Sequence, residues 1–389
     1  MRRLSAGLVL VFVAMAATPV AAAAHGVPGV GASRPTPSPT SSPTPTPTPT
    51  PAPGPGFTIV SSPNPDPSQN RLDAVAVVSA TDAWAVGRAG ANTLAEHWNG
   101  SQWGVVPTPN VQGAMFNELK AVAAVSSTDV WAAGYASTTA NNVVLIEHWN
   151  GTQWSIAPTP QPATQGAGPA LNALAAASAS DVWAVGGSFE PLVPGPGGRA
   201  VLMHWDGQAW TLTAPPPETS TWSSSTRFGV AAVSSADVWA VGEFDSFHWN
   251  GSAWSVVSGA SSQMGITAAD ATDVWAVGTV TYCDNESYYC ESSPTAFRWN
   301  GSQWSSSSSP VRAGSFAGAG AISATDVWAV GGGAQNWNGS AWSIVPTPGL
   351  SGATNVLLGV AGSSAHDVWA VGYSQDTSGV HTLVEHFTG

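Results

Sequence analysis

Charge is scarce in this chain: only 8% of its 389 residues are Asp, Glu, Lys or Arg. Solubility must then come from Ser, Thr, Asn, Gly and backbone groups. Basic residues are scarcer still, 10 against 23 acidic ones. Without Arg2 and Arg3 the balance is 8 against 23, a net charge of −15. That argues against nucleic acid or an anionic membrane as partner, because both require a basic face. Cysteine is nearly absent, with Cys283 and Cys290 alone. Two thiols make a poor metal site, and in an exported protein a close pair is most simply a disulfide. No stretch after residue 24 is long and apolar enough to cross a bilayer, and helical periodicity is absent.

What is there begins with a targeting segment, residues 1–24. Arg2 and Arg3 give a positive start, residues 8–17 an apolar stretch, and Ala22 to Ala24 a small-residue cleavage site. An uncleaved anchor is the competing reading, because residues 7–24 are apolar over about 18 residues, near the lower limit for a span. Residues 25–56 form a linker that is almost wholly Pro, Thr, Ser, Ala and Gly from Arg34 onward. Such a composition cannot bury a core and favours extended polyproline geometry, a stalk open to O-glycosylation. The mature chain is expected to be secreted or displayed at the cell surface, without membrane insertion, as a monomer.

Residues 57–389 carry one phrase seven times: Asp, then Val or Ala, Trp, Ala, Val or Ala, and Gly. Its tryptophans are Trp84, Trp131, Trp183, Trp239, Trp275, Trp328 and Trp369, spaced 36 to 56 residues apart. That spacing marks a repeat architecture, in which each unit buries its apolar face against its neighbours. In the second copy, residues 119–125, 130–134, 143–149 and 153–157 read as four strands. Asn150-Gly151 is a hairpin signal, since both residues tolerate the positive φ of a type I′ turn. Four antiparallel strands per unit describe a propeller blade. A second repeated phrase, His97-Trp98-Asn99-Gly100-Ser101-Gln102-Trp103 in its first copy, brings the Trp residues at repeated positions to 19 of 20, leaving out only Trp222. Buried aromatics recurring in this way glue neighbouring blades together. The seventh copy stops at the hairpin, while residues 57–64 align with residues 103–110. The sequence thus predicts an all-β, seven-bladed propeller closed by an N-terminal strand that completes the last blade, which removes the open sheet edges.

On these two phrases the chain resembles bacterial exported propellers of the neuraminidase-repeat and photosystem-assembly-factor type, and more loosely kelch and galactose-oxidase-like propellers. The hairpin phrase is similar to an Asp-box, with Asn in place of Asp except at Asp206-Gly207. The resemblance implies fold far more than function.

Sameness argues against a chemical role, because catalysis needs unlike groups converging on one point. Asp82, Asp129, Asp181, Asp237, Asp273, Asp326 and Asp367 read as turn residues whose carboxylates cap backbone amides. His97, His148, His204, His248 and His386 belong to five blades and cannot share one metal. Difference then marks the site, since variable loops on a rigid scaffold carry binding. The loops between first and second strands and between third and fourth strands are constant. The loops between second and third strands and the blade-to-blade connections vary, the longest, about 18 residues, following Gly278. All five tyrosines, Tyr135, Tyr282, Tyr288, Tyr289 and Tyr373, are placed in the former loops and Trp222 in a connection. Tyr and Trp offer rigid contact area with a polar tip, suited to sugar or protein recognition. At the starts of first strands lie Arg71, Asp73, Glu118, Lys120, Arg227 and Arg312. A sialidase would need three converging arginines, for which Arg71, Arg227 and Arg312 are the candidates, but no tyrosine nucleophile with a paired acid can be assigned. The loop between Cys283 and Cys290 encloses Asp284, Asn285, Glu286, Tyr288 and Tyr289, oxygen-rich enough for calcium near Asp284 and Glu286 but without an EF-hand's spacing. No cofactor and no catalytic residue is assigned. The expectation is a non-enzymatic binding propeller for an extracellular glycan or surface protein, with a polysaccharide hydrolase or lyase on the same face as the alternative.

Overall fold

The computed structural model describes residues 55–163, 168–189, 198–216, 227–243, 245–261, 263–283, 290–310 and 314–389. Every regular element among them is a strand, and the strands form seven four-stranded antiparallel sheets, the blades of a β-propeller. Blade 2 shows the pattern: Phe116–Ser126, Asp129–Ser137, Asn142–Trp149 and Trp154–Ile156 pair in that order. The first two strands run longer than the sequence pattern suggests, so Tyr135 lies within the second strand and not in a loop. Tyr373 likewise falls inside Asp367–Asp376 and Tyr282 inside Asp273–Cys283.

Ring closure is as the sequence predicts. Thr58–Ile59 pairs with Gly379–Phe387, Thr58 opposite His386 and Ile59 opposite Glu385, and becomes the outermost strand of blade 7. Aromatic seams join the blades. Trp84 of blade 1 lies 4.9 Å from Trp149 and 5.3 Å, edge-on, from Trp154 of blade 2. The same trio recurs as Trp131 with Trp205 and Trp210, Trp183 with Trp249 and Trp254, Trp239 with Trp299 and Trp304, and Trp275 with Trp337 and Trp342. Trp369 with Trp98 and Trp103 links blade 7 back to blade 1. At the seam between blades 6 and 7, Phe387 and Phe57 replace the two partner tryptophans around Trp328.

The repeated Asp is structural, but not as an amide cap. Each carboxylate reaches across to the third strand of its own blade: Asp82 to His97 at 2.8 Å, Asp129 to His148 at 2.8 Å, Asp181 to His204 at 2.8 Å, Asp237 to His248 at 2.9 Å and Asp367 to His386 at 2.7 Å. In blades 5 and 6 the partners are Arg298 and Asn336. Amide capping falls to the residue three positions earlier, as where Ser79 Oγ accepts from Thr81 N–H and Ser126 Oγ from Thr128 N–H. The histidine rings lie against the phrase tryptophans, 3.8 Å between centroids for His386 and Trp369. Every one of these histidines is held within its own blade.

The hairpins between third and fourth strands also differ from the type I′ expectation. Trp98 pairs with Trp103, so the loop has four residues, Asn99 to Gln102, with Gly100 at φ 89°. Asn99 Oδ1 accepts from Ser101 N–H, Ser101 O–H and Gln102 N–H. Only the carbonyl oxygen is used, which is why Asp206 substitutes in blade 3, accepting from Gln208 and Ala209 N–H at 2.9 Å. The stretch after Gly278 is largely ordered strand: the blade 5 sheet continues as a two-stranded ribbon to Cys283 opposite Cys290.

Candidate functional site

First strands begin, and second strands end, at one end of the propeller. That end carries the second-to-third strand loops and the blade connections, and is called here the variable face; the tight turns and Asn-Gly hairpins occupy the opposite, constant face. Side-chain amides pin the connections: Asn64 Oδ1 accepts from Thr382 N–H, Asn110 Oδ1 from Thr93 N–H and Gln161 Oε1 from Val144 N–H. In blades 7, 1 and 2 a second Asn, at the start of the first strand, accepts from the connection's backbone: Leu350 N–H to Asn355, Asp66 N–H to Asn70 and Val111 N–H to Asn117. Immediately after Asn70 and Asn117 come Arg71 and Glu118.

These three blades bring most of the described charged and aromatic candidates into one cluster. Arg71 Nε donates to Asp73 Oδ2 at 3.0 Å, and its second nitrogen pairs with Asp73 Oδ1. Lys120 Nζ donates to Asp73 Oδ1 at 3.1 Å and Glu118 Oε1 at 3.3 Å, bridging blades 1 and 2. Tyr135 O–H donates to Glu118 Oε2 at 3.0 Å, and Arg71 lies 5.5 Å over the ring of Tyr373. Two members escape sequence reasoning, Arg88 and Phe116. Arg88 Nε is 4.0 Å from Glu118 Oε1, its guanidinium 5.9 Å over Phe116, and Phe116 packs edge-on against Tyr135. The signal for Arg88 was in the repeat: it follows the Gly of the phrase, the position held by Tyr135 and Tyr373.

The cluster is layered. The Asp73 and Glu118 side chains are each only 6% exposed, whereas Arg71, Arg88 and Lys120 are 26%, 28% and 24% exposed. Acids lie beneath and cations face out. Burial raises the Glu118 carboxyl, but Lys120, Arg71 and the Tyr135 hydroxyl outweigh it and hold the group below its ordinary range. Burial lowers the Arg71 guanidinium, yet Asp73 and Glu118 carry it above its ordinary value. Burial and the Glu118 charge push the Tyr135 phenol up.

Next to the cluster, every first strand carries a bulge at one place, such as between Leu72 and Ala74, Leu119 and Ala121, and Leu357 and Gly359. The extra residue of each strand borders a cavity of about 200 Å3 where the seven first strands converge. The next residue is Ala in blades 1 to 3 and Gly in blades 4 to 7; at Gly318 a Cβ would sit 2.4 Å from the Leu358 carbonyl oxygen. Arg227 is not the counterpart of Arg71: it pairs with Gly242 as Leu72 pairs with Gly87, and its side chain lies outside the described residues. Outside them as well fall Trp222, Asp284, Glu286, Tyr288, Tyr289, Arg312 and the side chains of Tyr282 and Cys283. Among the described residues no group of three or more His, Cys, Asp or Glu could hold a metal ion, and no helix is long and apolar enough to cross a membrane.

No family model and no curated protein matches this chain. Solved structures do. YCF48 from Cyanidioschyzon merolae is similar at a TM-score of 0.55 and 14% identity, covering 85% of this chain and 98% of its own. YCF48 bound to a D1 peptide is similar at 0.54 and 13%, covering 86% and 96%. The extracellular domain of the putative hybrid two-component system BT4673 from B. thetaiotaomicron is similar at 0.52 and 10%, covering 85% of this chain and 39% of that longer one. At such identities the likeness is one of fold.

Proposed function

We propose that this is an exported binding propeller whose variable face receives a segment of an extracellular or surface protein. The observation that carries the reading is the concentration of positive charge. Three of the seven cations in residues 57–389, Arg71, Arg88 and Lys120, meet at one point, partly exposed above nearly buried acids. A scaffold needs no such investment in paired charge, and exposed cations over fixed acids suit a partner with carboxylate or carbonyl groups. The propeller YCF48, of the same fold, is described with a bound peptide, so a chain segment is a reasonable class of partner. Trp222, between blades 3 and 4, and Tyr282, Tyr288 and Tyr289 extend the proposed surface, and a Cys283–Cys290 disulfide would staple the blade 5 stretch that carries the three tyrosines, as the opposed positions of the two residues allow. Calcium near Asp284 and Glu286 stays part of the proposal only as an accessory to that ribbon.

The hydrolase alternative is the weaker reading. A glycosidase acid must be held protonated where the substrate meets it, whereas Glu118 in the cluster is ion-paired and held below its ordinary range, and the carboxyls that burial does raise, Glu96, Glu147 and Glu385, lie buried in third strands and take no part in the cluster. The test is capture by the immobilised full chain from exported proteins, run beside a glycan array. Protein capture weakened at least fivefold by Arg88→Gln, and falling with added salt, is expected. Array binding without protein capture transfers the reading to a glycan, and binding to neither overturns it.

A further inference from the structure

The seven bulge residues divide by chemistry around the cavity where the first strands meet. Blades 1 to 3 contribute Asp73, Lys120 and Asn172, a polar arc. Blades 4 to 7 contribute Phe228, Met264, Ala317 and Leu358, an apolar arc. A bulge re-aims a side chain at a fixed point of a strand, so one repeated backbone device delivers seven different side chains to one mouth. Around the ring the three polar residues are contiguous, and so are the four apolar ones. Met264 is 43% exposed although it is a large apolar side chain. Lys120 Nζ has three N–H donors and uses two, on Asp73 and Glu118. The cavity is lined by one acid, Asp73, and one cation, Lys120; the Asp73 side chain is nearly buried and already paired with Arg71, while Lys120 is partly exposed, so the charge that faces the cavity is the Lys120 ammonium.

We propose that this channel mouth is a binding site for a small organic acid with an apolar body, such as an arylalkanoic or branched aliphatic carboxylate. The carboxylate takes the remaining N–H of Lys120 in a charge-assisted contact. The apolar body lies across the mouth on Phe228, Met264 and Leu358, where it is removed from water. A cavity of about 200 Å3 suits a body of one ring or a short branched chain. The site discriminates against two relatives of that ligand: the amine, repelled by Lys120, and the neutral amide, which lacks the charge. The proposal deepens the reading of the variable face as a binding face and adds to it a second, smaller class of ligand.

Titration of the intact full chain with 3-phenylpropionate, followed by NMR or calorimetry, tests this against 3-phenylpropanamide and phenethylamine. The acid is expected to bind at least tenfold more tightly than either. Lys120→Met is expected to remove that preference, and Met264→Glu, at an exposed position, to weaken the acid at least fivefold while the melting temperature stays unchanged. Equal binding of acid and amide, or a Lys120→Met protein that folds and still prefers the acid, overturns the proposal. Absence of acid binding, with protein capture still dependent on Arg88, also overturns it and leaves the protein-binding reading standing.

Discussion

Replacing Trp369 by Ala is expected to remove about 3 to 5 kcal/mol of stability, the cost of truncating a large aromatic in a packed core. Trp369 is fully buried. It stacks on His386 at 3.8 Å, meets Trp98 at 4.8 Å and Trp103 edge-on at 5.2 Å, and shares a cluster with Leu72, Val75, Leu94, Val371 and Val384. Those partners come from blades 7 and 1, so the residue holds the seam that closes the ring. Total stabilities are about 5 to 15 kcal/mol, which makes this loss a large fraction of the whole. The internal control is Trp183→Ala, whose residue sits in the same trio with Trp249 and Trp254 between blades 3 and 4. In a closed ring both substitutions lower the urea midpoint by similar amounts. A much smaller effect at Trp369 would mean that blades 7 and 1 are not packed in solution.

The second large effect concerns acids that take no part in the charged cluster. Glu96, Glu147 and Glu385 occupy one position of the third strand in blades 1, 2 and 7, where blades 3 and 4 carry Met203 and Phe247. All three are buried. Glu96 accepts from Ser62 O–H and Glu385 from Gly349 N–H, while neither oxygen of Glu147 has a partner. Burial pushes the Glu147 carboxyl up to about 8 from an ordinary 4.5. Burial also pushes Glu96 up to about 8, against the Ser62 hydrogen bond, and raises Glu385 against the Gly349 bond. A carboxyl with a raised folded-state pKa stabilises relative to the unfolded chain below pH 4.5, loses that advantage as pH climbs to about 8, and is flat beyond. For Glu147 alone the loss at pH 7 is about 3 kcal/mol. The protein is therefore expected to be more stable at pH 5 than at pH 8. Glu147→Met, copying blade 3, is expected to raise the denaturation midpoint at pH 8, to change it little at pH 4, and to flatten the pH profile. Equal destabilisation at both pH values would show that the carboxyl is charged and partnered.

The fold was legible because it is written seven times. The phrase tryptophans, the hairpin Asn-Gly and the alignment of residues 57–64 with residues 103–110 specify blade count, strand count and closure without reference to any single weak signal. Roles were harder to read than places. Asp129 was identifiable as scaffold, yet its partner His148 sits across a strand pair whose register had first to be known. Arg71, Asp73, Glu118, Lys120, Arg227 and Arg312 stand out as a gathering of charge in a charge-poor chain; the first four meet, joined by Tyr135 and Tyr373, which the pattern had placed in loops, while Arg312 and the Arg227 side chain lie outside the described residues. Arg88 carries no such mark in the sequence, because it lies at the end of a second strand, away from the first-strand starts and the variable loops. Phe228, Met264 and Leu358 were missed for a different reason. A bulge shifts the two-residue alternation by one, so reading inward and outward positions from the sequence fails just where the channel is lined. Glu147 shares a face with Leu145 and Trp149 by alternation, which points to burial, but its charge argues for solvent, and only packing decides.

The division into a constant and a variable face is what every functional statement above depends on. It is tested most directly by attaching a bulky polyethylene glycol chain through Met115→Cys, in the exposed connection before blade 2, or through Gln303→Cys, in the exposed hairpin of blade 5 on the opposite face. Neither site disturbs a seam. Capture of the partner is expected to be lost with the polymer at residue 115 and kept with it at residue 303; loss at 303 with capture intact at 115 would contradict the assignment of the faces.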